Sequence, residues 1–76
     1  MQTSLLKRIT IIPGIMGGRP TIRGRRVKVA DLLGYLASGM NEDEILKDFP
    51  YLEKDDIKAC LEYASKKLDH TVILIN

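Results

Sequence analysis

The chain has 76 residues, of which 45% are hydrophobic and 29% charged, and its formal net charge is +2. A single cysteine, Cys60, excludes a disulfide within one chain, and one cysteine with one histidine is too few strong ligands for a metal site without carboxylates. The longest aliphatic run, Val72 to Ile75, is too short to span a bilayer. We therefore expect one small cytoplasmic domain, with no metal or cofactor and no membrane contact.

Charge is distributed unevenly along the chain. Residues 1–28 carry seven lysines and arginines and no acid, whereas residues 41–56 carry seven acids and two lysines. A basic segment of this kind is typical of proteins that meet phosphates or acidic surfaces. The acids cluster where helices are expected to begin, and Asn41 with Glu44 fits a capping box.

The first predicted elements are extended. Residues 8–12 are predicted as a strand that ends at Pro13. Residues 17–29, named here the basic ribbon, hold three glycines, one proline and five basic residues. We expect this ribbon to be a short hairpin or a bent ribbon, because glycine tolerates a positive φ at a turn and β-branched residues favour strands.

Three helices follow in the prediction, over residues 30–38, 42–49 and 54–67. Gly39 suits a left-handed cap after the first helix, and Pro50 stops the second. Gly34, inside the first helix, suggests that another backbone passes close to it. The third helix has an apolar stripe at helical spacing that we expect in the core. Its members are Ile57, Cys60, Leu61, Ala64 and Leu68.

Two stretches carry a resemblance to a known family. The first is Gly-x-Pro-x-Ile-x-Gly-x-Arg-Val, which begins at Gly18, and the second runs from Gly39 to Ala64. Together they resemble the prokaryotic family catalogued as domain of unknown function 433, whose members look like antitoxins of the VapB kind. The resemblance implies a DNA-binding autoregulator that neutralises a PIN-like ribonuclease toxin encoded beside it.

The predicted fold is mainly α with a short β ribbon. We expect a single domain over residues 1–76, with a strand and the basic ribbon in 1–29, three helices in 30–68 and a C-terminal strand in 69–76. The second and third helices have the spacing of a helix-turn-helix, which makes the three-helix unit homeodomain-like. Exposed strand edges favour a homodimer.

Double-stranded DNA is the candidate partner of the basic residues. Arginine and lysine neutralise backbone phosphates, and the second helix of the motif normally enters the major groove. The candidate contacts are Arg19, Arg23, Arg25, Arg26, Lys28, Lys54 and Lys58. Acids at the start of the third helix oppose this, because phosphate repels carboxylates. Either the ribbon carries most of the DNA contact, or the chain binds protein and not DNA.

The C-terminal aliphatic residues are the candidate partner-binding segment: Val72, Ile73, Leu74 and Ile75. They are expected to complete the sheet begun by residues 8–12 or to be captured by the toxin. An enzyme is not expected, because no nucleophile has a base at a recognisable spacing. The alternative function is a protein-interaction or dimerisation module, and the operator and the toxin stay open.

Overall fold

The computed structural model describes residues 5–69, which form three helices and one two-stranded sheet. The elements in chain order are β1 (Ile9–Thr10), a 3₁₀ helix (Met16–Gly18), β2 (Thr21–Ile22), α1 (Val29–Ala37), α2 (Glu42–Asp48) and α3 (Lys54–Asp69). The prediction of a mainly α chain with a short β ribbon is confirmed. The predicted C-terminal strand, with Val72 to Ile75, lies outside the described residues.

The two strands are antiparallel, with Ile9 opposite Ile22 and Thr10 opposite Thr21. The basic ribbon turns directly after β2, where the amide of Arg25 donates to the carbonyl of Ile22 at 2.7 Å. The two residues at this turn, Arg23 and Gly24, have φ of 46° and 71°. Two consecutive positive φ values are typical of a type I′ turn, and only the glycine adopts one without steric cost. The ribbon therefore turns back on itself, but its second arm makes a single isolated bridge, between Thr21 and Lys28, and is not a strand.

The strand predicted over residues 8–12 is shorter than expected. Pairing stops after Thr10, and Ile11 and Ile12 are exposed. The chain turns there, because the amide of Ile15 donates to the carbonyl of Ile12 at 2.9 Å and Pro13 has no amide hydrogen for a ladder.

The end of α1 and the start of α2 are each capped by hydrogen bonds between residues close in sequence. After α1, Gly39 has φ 108° and donates to Leu36, while the amide of Met40 donates to Tyr35, both at 3.1 Å. This is a Schellman cap, as predicted for a glycine at this position. The capping box that opens α2 is also confirmed, because Asn41 and Glu44 exchange side-chain to backbone hydrogen bonds of 2.9 Å.

The core lies between the ribbon and the three helices. It consists of Ile22, Val27, Val29, Leu32, Ile45, Leu52, Ile57 and Cys60. The expectation that a backbone passes close to Gly34 is wrong for the described part of the chain. Gly34 is exposed, and a Cβ built on it would meet nothing within 4 Å.

Only part of the apolar stripe predicted for the third helix is buried. Ile57 and Cys60 are fully buried, but Leu61 and Leu68 are 47% and 65% exposed. Leu61 follows the buried Cys60 and therefore points about 100° away from it around the helix, and Leu68 lies in the last turn of α3. The placing of Leu61 and Leu68 in the core was therefore wrong.

Candidate nucleic-acid interface

A fully buried carboxylate, that of Asp56, lies in the first turn of α3. Arg23 donates to both of its oxygens, from Nε to Oδ1 at 3.0 Å and from Nη2 to Oδ2 at 2.8 Å. Arg8 Nη1 adds a bond of 2.9 Å to Oδ1, and the amide of Glu53 adds one of 2.8 Å to Oδ2. Every side of this buried charge is thus hydrogen-bonded, which is the condition for keeping it ionised.

The neighbouring acids share the same arginine. Arg8 Nη1 lies 2.7 Å from Glu53 Oε1, and Nη2 lies 3.8 Å from Asp55 Oδ2. Arg23 Nη2 also donates to the carbonyl of Tyr51 at 3.0 Å. All three acids at the start of α3 therefore have a cation of the N-terminal third of the chain beside them.

The sheet register explains how the two arginines meet. Arg8 precedes Ile9, Arg23 follows Ile22, and those two isoleucines are paired. The amide of Arg23 donates to the carbonyl of Arg8 at 2.7 Å. One antiparallel pair thus places two guanidinium groups side by side against the first turn of α3.

The pKa of Asp56 reflects two opposed effects. Burial alone raises it, but hydrogen bonds from Arg23, the Glu53 amide and Arg8 outweigh burial and leave the pKa below its ordinary value. The pKa of Arg8 is raised, chiefly by its hydrogen bond to Glu53 and then by that to Asp56. The pKa of Arg23 is raised chiefly by its hydrogen bond to Asp56. All three groups are charged at neutral pH.

The predicted contact residues fall into two groups. Arg23, whose side chain is 31% exposed, has its guanidinium on Asp56 and Tyr51. The others lie at the surface, with Lys28 half-buried and the rest exposed: Arg19, Arg25, Arg26, Lys54 and Lys58. Lys54 and Lys58 are one helical turn apart on α3.

An aromatic row connects the ribbon with the helices. The guanidinium of Arg25 lies over the ring of Tyr51, 4.9 Å from its centroid. Tyr51 meets Phe49 edge to face with centroids 6.3 Å apart, and Phe49 stacks on Tyr35 at 5.7 Å. The exposed turn of the ribbon is thus fixed beside the connection between α2 and α3.

Two residues at this site were not identified from the sequence. Arg8 lies outside the basic ribbon, and Tyr51 lies between the second and third predicted helices. Neither has a local signal that separates it from an ordinary surface residue, because the role of each depends on a neighbour many positions away.

The thiol of Cys60 lies outside this cluster of ion pairs. Cys60 is buried as predicted, and burial raises the pKa of its thiol to about 12, with a smaller contribution from the charge of Asp56. Within those residues, no group of three or more metal-binding side chains is present. No helix in them is both long enough and apolar enough to cross a membrane.

Most of the chain is similar to known proteins. The family model described as protein of unknown function (DUF433) matches residues 9–64. The uncharacterized protein y4eO of Sinorhizobium fredii is 36% identical over 56 residues, which are 74% of this chain and 25% of that protein. The chain therefore spans about a quarter of the length of that relative.

A solved structure has a similar fold. It is the crystal structure of a DUF433 member protein from Anabaena variabilis, determined at 2.00 Å resolution. The TM-score is 0.78 at 31% sequence identity, and the match covers 90% of this chain and 67% of that chain.

Proposed function

The chain belongs to the DUF433 family, and on that premise we propose that it is a DNA-binding antitoxin. In this proposal it acts as a homodimer, represses its own operon and neutralises a PIN-like ribonuclease toxin encoded beside it. The ion pairs at the start of α3 are the observation that carries the DNA-binding part. The acids at the start of α3 would repel DNA phosphates from a recognition helix, and these ion pairs reduce that repulsion.

The objection was that acids at a helix start repel phosphate. The carboxylate of Asp56 is buried and bonded to two guanidinium groups, so it presents no uncompensated charge to a ligand. Glu53 and Asp55 are more exposed, but each has Arg8 within ion-pair distance. Three carboxylates here have two guanidinium groups beside them, which leaves one negative charge that Lys54 balances, and Lys58 is the next exposed cation along α3.

A helix-turn-helix formed by α2, residues 49–53 and α3 is part of this proposal. In the usual docking, the first helix crosses the backbone and the second enters the major groove by its N-terminal part. Lys54 and Lys58 lie in that part of α3. Arg25 and Arg26 lie at the turn of the ribbon, which Tyr51 holds beside the same end of α3.

We therefore assign the principal phosphate contacts to Arg25, Arg26, Lys54 and Lys58, with Arg19 and Lys28 as secondary contacts. Arg8 and Arg23 are positioning residues, because their guanidinium groups are on the acids of α3. This assignment differs from the expectation from the sequence, which included Arg23 among the contacts.

The test is binding to a duplex that carries the promoter of the chain's own operon, compared with a duplex of unrelated sequence. Affinity is measured by fluorescence anisotropy at several salt concentrations. Replacing the four principal residues with alanine should weaken binding to both duplexes, because phosphate contacts are independent of sequence. It should also flatten the log–log salt slope by about one unit per lost contact.

The matched control is Lys66→Ala, which removes an exposed lysine from the C-terminal part of α3, away from the end that is proposed to enter the major groove. Its salt slope should equal that of the unchanged protein if the interface is placed correctly. A four-residue variant that keeps its slope and its circular dichroism spectrum would contradict the DNA-binding proposal.

The toxin and the dimer need separate measurements. Light scattering should give the mass of two chains, and co-expression with the ribonuclease encoded beside this chain should relieve toxicity. In the proposal Val72, Ile73, Leu74 and Ile75 bind the toxin, so a chain that lacks them should bind DNA but no longer relieve toxicity.

The alternative is a protein-interaction or dimerisation module that does not bind DNA. It is favoured by the exposed apolar side chains of α3, Leu61 and Leu68. Dimeric mass together with no measurable affinity for either duplex at low salt would select this alternative.

A further inference from the structure

One edge of the two-stranded sheet has free backbone groups. The amide of Arg23 donates to the carbonyl of Arg8, so Ile9 and Ile22 form a non-hydrogen-bonded pair of the antiparallel ladder. The amide and carbonyl of Ile9 therefore point away from β2, and those of Ile11, two positions on, point the same way. Within residues 5–69, neither residue has a backbone hydrogen-bond partner on that side. Such an edge is a template for a further strand.

The length of this free edge is fixed by its flanks. A turn precedes it and ends at Arg8, and Pro13, which follows it, has no amide hydrogen. The chain between them neither turns nor bends, so the edge consists of residues 9–12. It contains no lysine or proline, the residues that usually prevent strand addition, and Ile11 and Ile12 are 59% and 38% exposed.

We propose that a second copy of this chain pairs with the edge, its β1 antiparallel to the first and Thr10 of both copies on the two-fold axis. In this register Ile9 of each copy is opposite Ile11 of the other. Each of these two pairs exchanges two amide-to-carbonyl hydrogen bonds, which gives four bonds and uses every outward backbone group of the two isoleucines. The inference rests on the homodimer of the proposed function and names its interface as a continuous four-stranded sheet.

The pattern of the edge is self-complementary, which is the reason for assigning it to a second copy. An axis at Ile11 would put Ile9 opposite Pro13 of the other copy, which has no amide hydrogen to donate. An axis at Ile9 would put Ile11 opposite Lys7, which lies in the preceding turn. Only the axis at Thr10 pairs both outward residues with extended backbone.

The side chains beside this edge also suit the pairing. A groove of about 300 Å³ adjoins it and is lined by Leu6, Ile9, Ile11, Tyr63, Lys66 and Lys67. Opposite residues of an antiparallel pair have their side chains on the same face of the sheet, with Cβ atoms about 5 Å apart. Ile11 of one copy would therefore pack on Ile9 of the other, beside this groove. None of the four principal phosphate contacts belongs to the edge or lines the groove.

A proline substitution in the full chain tests the backbone bonds. Ile11→Pro removes an amide hydrogen that points away from β2, and with it two of the four bonds between copies. The dimer dissociation constant, measured by analytical ultracentrifugation, should rise at least about thirtyfold, because each bond is worth about fivefold. The matched control is Ile12→Pro, whose amide points to the other side of the strand, and the dissociation constant should change less than about threefold.

Single cysteines test the register. Thr10→Cys should form a disulfide-linked dimer under mild oxidation, because the two Cα atoms of this non-hydrogen-bonded pair would lie about 4.5 Å apart. The matched control is Ile12→Cys, whose two Cα atoms would lie more than about 13 Å apart, beyond the reach of a disulfide. The native Cys60 is buried and does not interfere.

Three outcomes would overturn the proposal in variants that keep their circular dichroism spectrum. A dimer that Ile11→Pro does not weaken would have another interface, and the homodimer itself would stand. Cross-linking through Ile12→Cys in place of Thr10→Cys would contradict the register. A monomeric unchanged chain would contradict the interface and the homodimer together. No DNA or toxin is present in these measurements, so a chain that pairs through β1 but does not bind its promoter would contradict only the proposed function.

Discussion

Arg23 donates hydrogen bonds from Nε and Nη2 to the two carboxylate oxygens of Asp56, although 33 positions separate the two residues in the chain. The carboxylate has no exposed surface, whereas the arginine side chain keeps 31% of its own. A planar fork on a planar carboxylate fixes orientation as well as distance, which a lysine at position 23 could not do. The ribbon and α3 are thereby joined at one defined angle.

We predict that Asp56→Asn lowers the free energy of unfolding by about 1.5–3 kcal/mol, because Arg23 loses its counter-charge and a neutral amide cannot accept all of the hydrogen bonds, whereas Arg8 keeps Glu53. Urea denaturation followed by circular dichroism measures this. The matched control is Asp55→Asn, at an exposed carboxylate 3.8 Å from Arg8, which should change stability by less than about 1 kcal/mol. Equal losses in the two variants would show that burial of Asp56 is not the cause.

Stability should fall in acid because of the same residue. The folded pKa of Asp56 lies below its unfolded value, so its contribution is complete well above pH 4 and is lost as pH falls through the folded pKa. The urea midpoint of the unchanged chain should therefore decline between about pH 5 and pH 2. Asp56→Asn should show a shallower decline, and a parallel decline in both proteins would contradict the assignment.

Two arginines of the ribbon are expected to have different roles: Arg23 contributes to stability, and Arg26 contributes to DNA binding. Arg23→Ala removes hydrogen bonds to a charged group and should cost about 2 kcal/mol of unfolding free energy. Arg26→Ala, at an exposed position, should change stability by less than about 0.5 kcal/mol but reduce the salt slope of DNA binding by about one unit. Equal destabilisation by Arg26→Ala and Arg23→Ala would contradict these different roles.

Gly34 should be replaceable with a gain in stability. It lies inside α1 with open space around it, so Gly34→Ala should raise the free energy of unfolding by about 0.5–1 kcal/mol. Gly24→Ala is the contrasting variant, because φ of 71° at that turn strains any residue with a Cβ and should cost about 1 kcal/mol or more. Thermal denaturation compares both. A loss at position 34 would mean that α1 has a partner on this face.

The thiol of Cys60 should be inert in the folded chain. Burial raises its pKa to about 12, so almost no thiolate is present at pH 8 and reagents have no access to it. An aromatic disulfide reagent should react at the full rate in 8 M urea and at least about a hundredfold more slowly in buffer, because reaction requires unfolding. Comparable rates in the two solvents would place the thiol at the surface.

The features that could be predicted from the sequence are those with a local cause. The capping box of Asn41 and Glu44 spans four residues, and the cap at Gly39 depends on a single residue type. Helical periodicity located α3 but could not show which apolar positions have a partner. Leu61 and Leu68 were therefore misplaced, while the burial of Asp56 was missed.

The candidate site was harder to predict because its contacts are distant in sequence. Arg8 and Asp56 are 48 positions apart, and their meeting depends on the register between β1 and β2. A basic segment and an acidic segment are visible in the composition, but composition does not say which arginine reaches which acid. Arg23 was for that reason grouped with the exposed cations of the ribbon.

The separation of Arg23 and Asp56 along the sequence also has a consequence for folding during translation. Translation proceeds from the N-terminus at about 5–20 residues per second, so the 33 positions between them take about 2–7 s to translate. During that interval Arg8 and Arg23 are without the buried carboxylate that both of them bind in the folded chain. The native angle between ribbon and helix is therefore reached only after the first turn of α3 has been made.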